Sequence, residues 1–211
     1  MAEDSTTTPT RRAQRRAELG RRLLEATEAL MGTDVAFTDL SVNALASAAG
    51  ISRATFYVYF EDKSQLLQAL AEEVAEGFRT VAQRWWDTTE RPSHDELHGA
   101  IADTVALHRR HRAVIWAILE MSSYDAAIAA FYDDLMAGLI DGYTEAIEQA
   151  QATGAIGALA ARPTATALTW MIERCCHQTA RATEPDAAAD AALVDALTEI
   201  VWRTLYLAPS R

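Results

Sequence analysis

The chain has 211 residues, half of them hydrophobic and 23% charged, with a formal charge of −11. This composition supports one generous core or two small ones and excludes a disordered chain. No apolar run approaches the roughly 18 residues of a membrane span, and MAEDSTTTPTRRAQRR has no apolar stretch behind its charges, so the expectation is a cytoplasmic protein without secretion signal or membrane anchor.

The sequence reads as all-α, with about nine helices. Prolines stand only at 9, 92, 163, 185 and 209, and no segment alternates β-branched residues at period two with hairpin turns. The first helix is expected over about 11–31, with Leu23, Leu24, Thr27, Leu30 and Met31 as its inner stripe and Gly32 as its stop. The second starts at Ser41 as N-cap and ends at Gly50, which suits a C′ position of positive φ. The third follows Ser52 as N-cap and runs to about Phe60. The fourth follows Asp62, another N-cap, to about Thr88. Ser93 with Glu96 forms a capping box that opens the fifth, which ends near His108-Arg109-Arg110-His111-Arg112. The sixth covers about 112–121 and the seventh about 125–154. Pro163 lies in the first turn of the eighth, which ends before Pro185, and the ninth covers about 187–207.

The second and third helices, about eight residues each, are too short to persist alone in water. Packing must hold them. Val42, Leu45, Ala46 and Ala49 give one an apolar stripe, Phe56 and Phe60 give the other an inward face, and Phe37, Leu40 and Ile51 fill the space between. Two short helices joined by Ala49-Gly50-Ile51-Ser52 make the helix-turn-helix plan, whose second helix enters the DNA major groove. Arg53, Ala54, Thr55, Tyr57, Val58 and Tyr59 remain outward on it. Arg53 suits guanine, Thr55 a base edge or phosphate, and a tyrosine hydroxyl a phosphate. Lys63 at the start of the fourth helix, and Ser41 and Asn43 at the start of the second, stand where the helix dipole favours a phosphate.

Charge placement agrees with this division. Residues 1–63 carry eight basic and nine acidic groups, net −1, whereas residues 64–211 carry net −10; RRAQRRAELGRR at 11–22 alone is +5. A basic front end and an acidic body suit a chain that meets a polyanion at one end only.

The segment FTDLSVNALASAAGISRATFYVYFEDKSQLLQAL resembles the DNA-binding domain of the TetR family of bacterial repressors. The residues that carry the likeness are Ala46 to Gly50, Ile51, Ser52, Thr55, Phe56, Tyr57, Tyr59, Phe60, Lys63, Leu66 and Leu67. The resemblance covers roughly residues 20–70. It implies DNA contacts at Ser41, Val42, Asn43, Arg53, Ala54, Thr55, Tyr57, Tyr59 and Lys63. The arm at Arg11–Arg16 matches extensions that reach the minor groove in some members. Ala167-Leu168-Thr169-Trp170-Met171-Ile172-Glu173-Arg174 with Trp202-Arg203-Thr204-Leu205-Tyr206 is similar to the ethionamide-resistance repressor group, whose members bind elongated apolar effectors.

The implied organisation is a basic, partly disordered arm (1–18), a helix-turn-helix domain (19–65) and a ligand-binding and dimerisation domain (66–211). Leu168, Met171 and Cys175 on the eighth helix, with Leu193, Leu197, Ile200, Val201 and Thr204 on the ninth, are expected at a homodimer interface. Such a dimer would set two recognition helices about one DNA turn, roughly 34 Å, apart. Phe78, Trp85, Ile101, Thr104, His108, Trp116, Met136, Leu139, Tyr143, Thr169 and Ile172 are expected to line a pocket for a small, mostly apolar effector.

Cys175 and Cys176 are adjacent on a helix and read as small buried hydrophobes. The 108–112 cluster reads as cations at a helix C-terminus. No spacing of His, Cys, Asp and Glu matches a metal set, so no cofactor is expected. The function expected is a non-enzymatic, dimeric repressor of a palindromic operator. An activator or co-repressor-dependent regulator shares every feature, and a helical enzyme or interaction module is the reading from another class.

Overall fold

The structure is a computed structural model. It describes residues 11–31, 35–86, 91–180 and 186–207; the side chains of 11–17 and 84–86 lie outside that description. Nine helices and one 3-10 turn form the described chain: α1 (Arg11–Met31), the 3-10 turn (Phe37–Asp39), α2 (Val42–Ala48), α3 (Arg53–Tyr59), α4 (Lys63–Trp86), α5 (His94–Arg110), α6 (Arg112–Met121), α7 (Ala126–Ala152), α8 (Ala161–Ala180) and α9 (Ala187–Leu205). The described part of α4 stops at Trp86, and Thr88, like Gly32, lies outside the described residues. The segment 11–18, expected as part of an arm, is helical as the start of α1.

The helix ends follow from local chemistry. Ser41 accepts from the Ala44 amide and Ser52 from the Thr55 amide. The Asp62 carboxylate accepts from the Gln65 amide at 2.8 Å. Both halves of the Ser93–Glu96 capping box are made. Each cap satisfies an amide that the helix cannot bond itself.

The turn after α2 is set by glycine. Gly50 has φ +66°. Its amide donates to the Ser47 carbonyl at 3.0 Å, and the Ile51 amide donates to the Ala46 carbonyl at 2.9 Å. This is a Schellman closure with glycine in the left-handed position. Arg22 of α1 then takes the Ala49 carbonyl and, at 3.0 Å, that of Gly50. One guanidinium therefore fastens the joint between α2 and α3 to the scaffold.

Two hydrophobic cores lie along the molecule. The front core gathers Leu23 of α1, Phe37, Leu45 of α2, Phe56 of α3 and Leu66, Leu67 and Leu70 of α4. Val114, Ala117 and Ile118 of α6 and Ile128 of α7 join it. The rear core is built from α5, the later turns of α7, α8 and α9. The packing does not divide between residues 65 and 66, because α4 and α6 carry the front core into the following segment. Polar ties reinforce this. The Phe37 amide and the Thr38 hydroxyl both donate to the Glu120 carboxylate, at 3.2 and 2.6 Å. His111 meets Glu28 of α1 at 2.7 Å.

Gly50→Ala should destabilise the protein by about 1–3 kcal/mol, since any Cβ there combines a left-handed backbone with a clash. The added atom would meet the Arg22 guanidinium at 2.7 Å. Urea unfolding measures the loss. In a cycle with Arg22→Ala the two penalties should add to less than their sum, because removing the guanidinium removes the clash.

Candidate nucleic-acid interface and ligand cavity

The third helix carries an exposed face. Arg53, Ala54, Tyr57 and Val58 are exposed, and Thr55 is half-buried with its hydroxyl 2.8 Å from that of Ser52. The Arg53 guanidinium lies over the Tyr57 ring, 5.5 Å from its centroid, so the two side chains form one cationic, aromatic projection. Ser41 and Asn43 are exposed at the start of α2. Phe56, one residue before Tyr57, is fully buried and anchors the helix from beneath.

Three expected positions differ. Val42 and Tyr59 are half-buried and packed on the front core. They support the face more than they form it, because only a seven-residue helix separates that core from solvent. Lys63 makes a stronger departure. Its ammonium donates to the carbonyls of Phe37, Thr38 and Leu40 at 3.3, 2.8 and 2.7 Å. All three donors of the group are engaged, which closes the 3-10 turn against α4 rather than leaving a charge for phosphate. The other basic residues near the front are also tied. Arg21 pairs with Glu18 and Glu25, and Arg22 with the α2–α3 joint. The side chains of Arg11, Arg12, Arg15 and Arg16 lie outside the described residues.

Behind the front core lies a cavity of about 90 Å³, walled by α4 to α8. Phe78, Thr104, His108, Met136, Leu139, Tyr143, Thr169 and Ile172 line it. A second lobe of about 30 Å³ shares Thr104, Tyr143, Thr169 and Ile172 and continues past Ile101, Leu168 and Val201. Nine of the eleven expected pocket residues thus line these two adjoining spaces. Trp85 lies outside the described side chains. Trp116 is corrected: it is exposed on the outer side of α6, its ring 5.5 Å from that of His177. Its neighbours Ile115 and Ile118 face the cavity instead.

The polar groups of the cavity are few. His108 is buried against the Phe78 ring, with centroids 4.5 Å apart. Its Nδ1 lies 3.0 Å from the Thr104 carbonyl; a carbonyl only accepts, so Nδ1 carries the proton. Burial lowers the imidazole pKa to about 4, leaving it neutral at pH 7. Burial also pushes the Tyr143 phenol up to about 12.

The sequence reading missed Glu173 and Tyr132. Glu173 is 7% exposed, lines the cavity, and neither of its carboxylate oxygens accepts a hydrogen bond from a described residue. The Tyr132 hydroxyl is likewise buried without a completed hydrogen bond. Burial, and after it the charge of Glu173, raises the Tyr132 phenol above its usual range. The available signal was spacing: Glu173 follows Thr169 by four residues, on the same face of α8.

The expected interface residues also separate. Leu197 and Val201 are 1% and 2% exposed, inside the rear core of this one chain, so they are corrected to intramolecular packing. Ile200, one residue away, is 44% exposed. Leu168, Met171, Cys175, Leu193 and Thr204 are half-buried, and Trp170 is exposed beside them. The Cys176 thiol is buried and pushed up to about 12 by that burial, so it stays protonated and unreactive. The cluster at 108–112 cross-links helices: Arg109 pairs with Asp190 of α9, and His111 meets Glu28. Among the described residues no group of three or more His, Cys, Asp or Glu side chains could hold a metal ion, and no helix is long and apolar enough to cross a membrane.

The family model described as bacterial regulatory proteins of the tetR family matches residues 23–70. The model described as the C-terminal domain of the transcriptional regulator EthR matches residues 97–207. Among solved structures, a TetR-family transcriptional regulator from Rhodococcus sp. is similar with 22% identity and a TM-score of 0.67, over 87% of this chain and 98% of that one. A TetR-family regulator from Syntrophomonas wolfei has 14% identity and a TM-score of 0.72, over 90% and 95%. A transcriptional regulator from Saccharomonospora viridis, solved in complex with choline, has 19% identity and a TM-score of 0.67, over 90% and 98%. At these identities the structures speak for the fold. No curated protein matches the sequence.

His108 generates a pH prediction. The unfolded imidazole takes a proton below about pH 6.5, and the folded one only near 4. Between these values the unfolded state binds more protons, so stability falls as pH falls, by about 3 kcal/mol in total. Denaturant unfolding at pH 7 and pH 4 should show the wild type losing about that much more than His108→Leu.

Proposed function

The chain belongs to the TetR family of bacterial transcriptional regulators, and from that premise we propose that it is a homodimeric, cytoplasmic repressor that binds a palindromic operator and is released by a small, mostly apolar effector. The observation that carries the reading is the exposed Arg53–Tyr57 pair on a helix whose opposite side, Phe56, is locked into the core. A projection carried on a helix that the core already holds can enter a major groove without the helix first having to form. Arg53 would read a base edge, and Tyr57, Thr55, Ser41 and Asn43 would position the phosphates. Ala54 would allow close approach.

For the dimer, the support is on α8 and α9, where Trp170 and Ile200 are exposed and Met171, Cys175 and Leu193, packed against the rear core, and Thr204 each keep part of their surface open. A two-fold partner covering this surface would match the symmetry of a palindrome. For release, the support is shared structure. Helix α6 offers Ile115 and Ile118 to the cavity, and Val114 and Ala117 to the front core. Helix α4 lines the cavity with Phe78 and holds the 3-10 turn through Lys63. A ligand that fits the cavity better when α4 and α6 have shifted would alter the spacing of the two recognition helices. The shift can be no larger than the ligand's preference for that state.

A gel-shift titration on the DNA upstream of the chain's own gene tests the function. Binding should be sequence-specific and weaken steeply with salt. Tyr57→Ala should reduce affinity at least tenfold while leaving the melting temperature nearly unchanged; unaltered affinity would remove α3 as the recognition helix. Lys63→Ala separates scaffold from phosphate contact. If the ammonium serves the 3-10 turn, the variant melts lower and its salt slope equals that of the wild type, whereas a lost phosphate contact would reduce the slope by about one.

A further inference from the structure

The walls of the cavity are apolar, yet Glu173 brings a carboxylate into them. It is more than nine-tenths buried, and both its oxygens lack a hydrogen-bond donor among the described residues. The Tyr132 hydroxyl stands beside it, close enough to interact, but completes no hydrogen bond to it or to any other described residue. The Arg174 guanidinium stands 3.9 Å from one carboxylate oxygen, but its side chain is 56% exposed, outside the cavity. His108 is neutral at pH 7 and contributes no cation. Burial raises the Glu173 carboxyl above its usual range, against the opposing pull of Arg174 and the nearby Tyr132 hydroxyl, as expected of a charge deprived of water and only partly compensated.

Buried unsatisfied groups of this kind need a reason. Two acceptor oxygens and a phenol call for a donor-rich, positively charged group, and the rings of Tyr132 and Phe78 suit the same charge. Resting on the reading of this cavity as the effector site, we propose that its ligand is a protonated primary or secondary amine. The ammonium sits between Glu173 and Tyr132. The apolar body lies along Phe78 and Met136 toward the second lobe. The effector is then amphiphilic, which refines the mostly apolar expectation: the carboxylate selects the head and the aliphatic walls the tail. An alcohol of the same length keeps the tail contacts and loses the charge-assisted hydrogen bonds.

The test compares hexylamine with 1-hexanol on the full chain at pH 7 by titration calorimetry. Hexylamine should bind at least roughly tenfold more tightly, the scale expected of hydrogen bonds to a charged group. Glu173→Gln should bring the two ligands within about twofold by weakening the amine alone. Glu173→Met, which places an apolar side chain of similar length in an apolar setting, should do the same and keeps the test open if the glutamine variant loses helicity. Equal binding of the two ligands by the wild type, or an amine preference that survives both substitutions, would overturn the proposal. Hexanol binding without amine preference would leave the cavity as a ligand site and remove the amine; binding of neither would remove both.

Discussion

Two seven-residue helices cannot hold their shape in water, and the reading end of this molecule depends on the core that holds them. Phe37, Leu45 and Phe56 are fully buried, each contributing about 1.5–3 kcal/mol of apolar transfer. The surface they bury against comes from outside the helix pair: Leu23 of α1, Leu66 and Leu67 of α4, Val114 of α6. Because α4 and α6 also wall the cavity, the element that would read DNA and the space that would take a ligand share structural members. Communication between them needs no separate wire. A change in how α6 or α4 sits is already a change in the support of α3.

The distribution of positive charge follows the same dependence. The front of the chain is richer in cations than the rear, but the structure uses several of them internally. Arg22 fastens the α2–α3 joint, Lys63 closes the 3-10 turn, and Arg21 lies between two glutamates. Each engagement costs the surface a charge and gives the short helices a fixed frame. Arg53 is the described cation left to the reading face of α3, and its guanidinium is steadied by Tyr57. Affinity for a polyanion would then come from few, well-placed contacts, while the acidic rear limits adhesion elsewhere.

The cavity shows the opposite economy. Its walls are ordinary core residues that fail to close, and Glu173, its carboxyl group, completes no hydrogen bond among the described residues. A carboxylate in such a place raises the energy of the empty protein. Neutral His108 a helix away contributes no compensating charge.

Much of this was legible in the sequence, for a local reason. Ser41, Ser52, Asp62 and the Ser93–Glu96 box announce helix starts because a cap bonds amides two or three residues away, and Gly50 announces a stop because the left-handed conformation favours a residue without a Cβ. The apolar stripes and most of the cavity lining followed from helical period. What the period cannot say is which surface a stripe meets. Leu197 and Val201 went into the chain's own core and Ile200 to the outside, although all lie on one expected interface helix; Trp116 turned outward and Ile115 inward. Neither could the period find the partners of long side chains. Arg22 reaches carbonyls 27 and 28 residues away, Lys63 reaches back over 20, and Glu173 completes no hydrogen bond among the described residues. The sequence by itself determined the helices, their ends and the presence of an exposed face on α3, because those rest on contacts within a turn or two. Only the tertiary structure decided which cations stay free, which apolar residues remain open and where a charge is stranded, because those depend on distances between helices that the chain brings together only by folding.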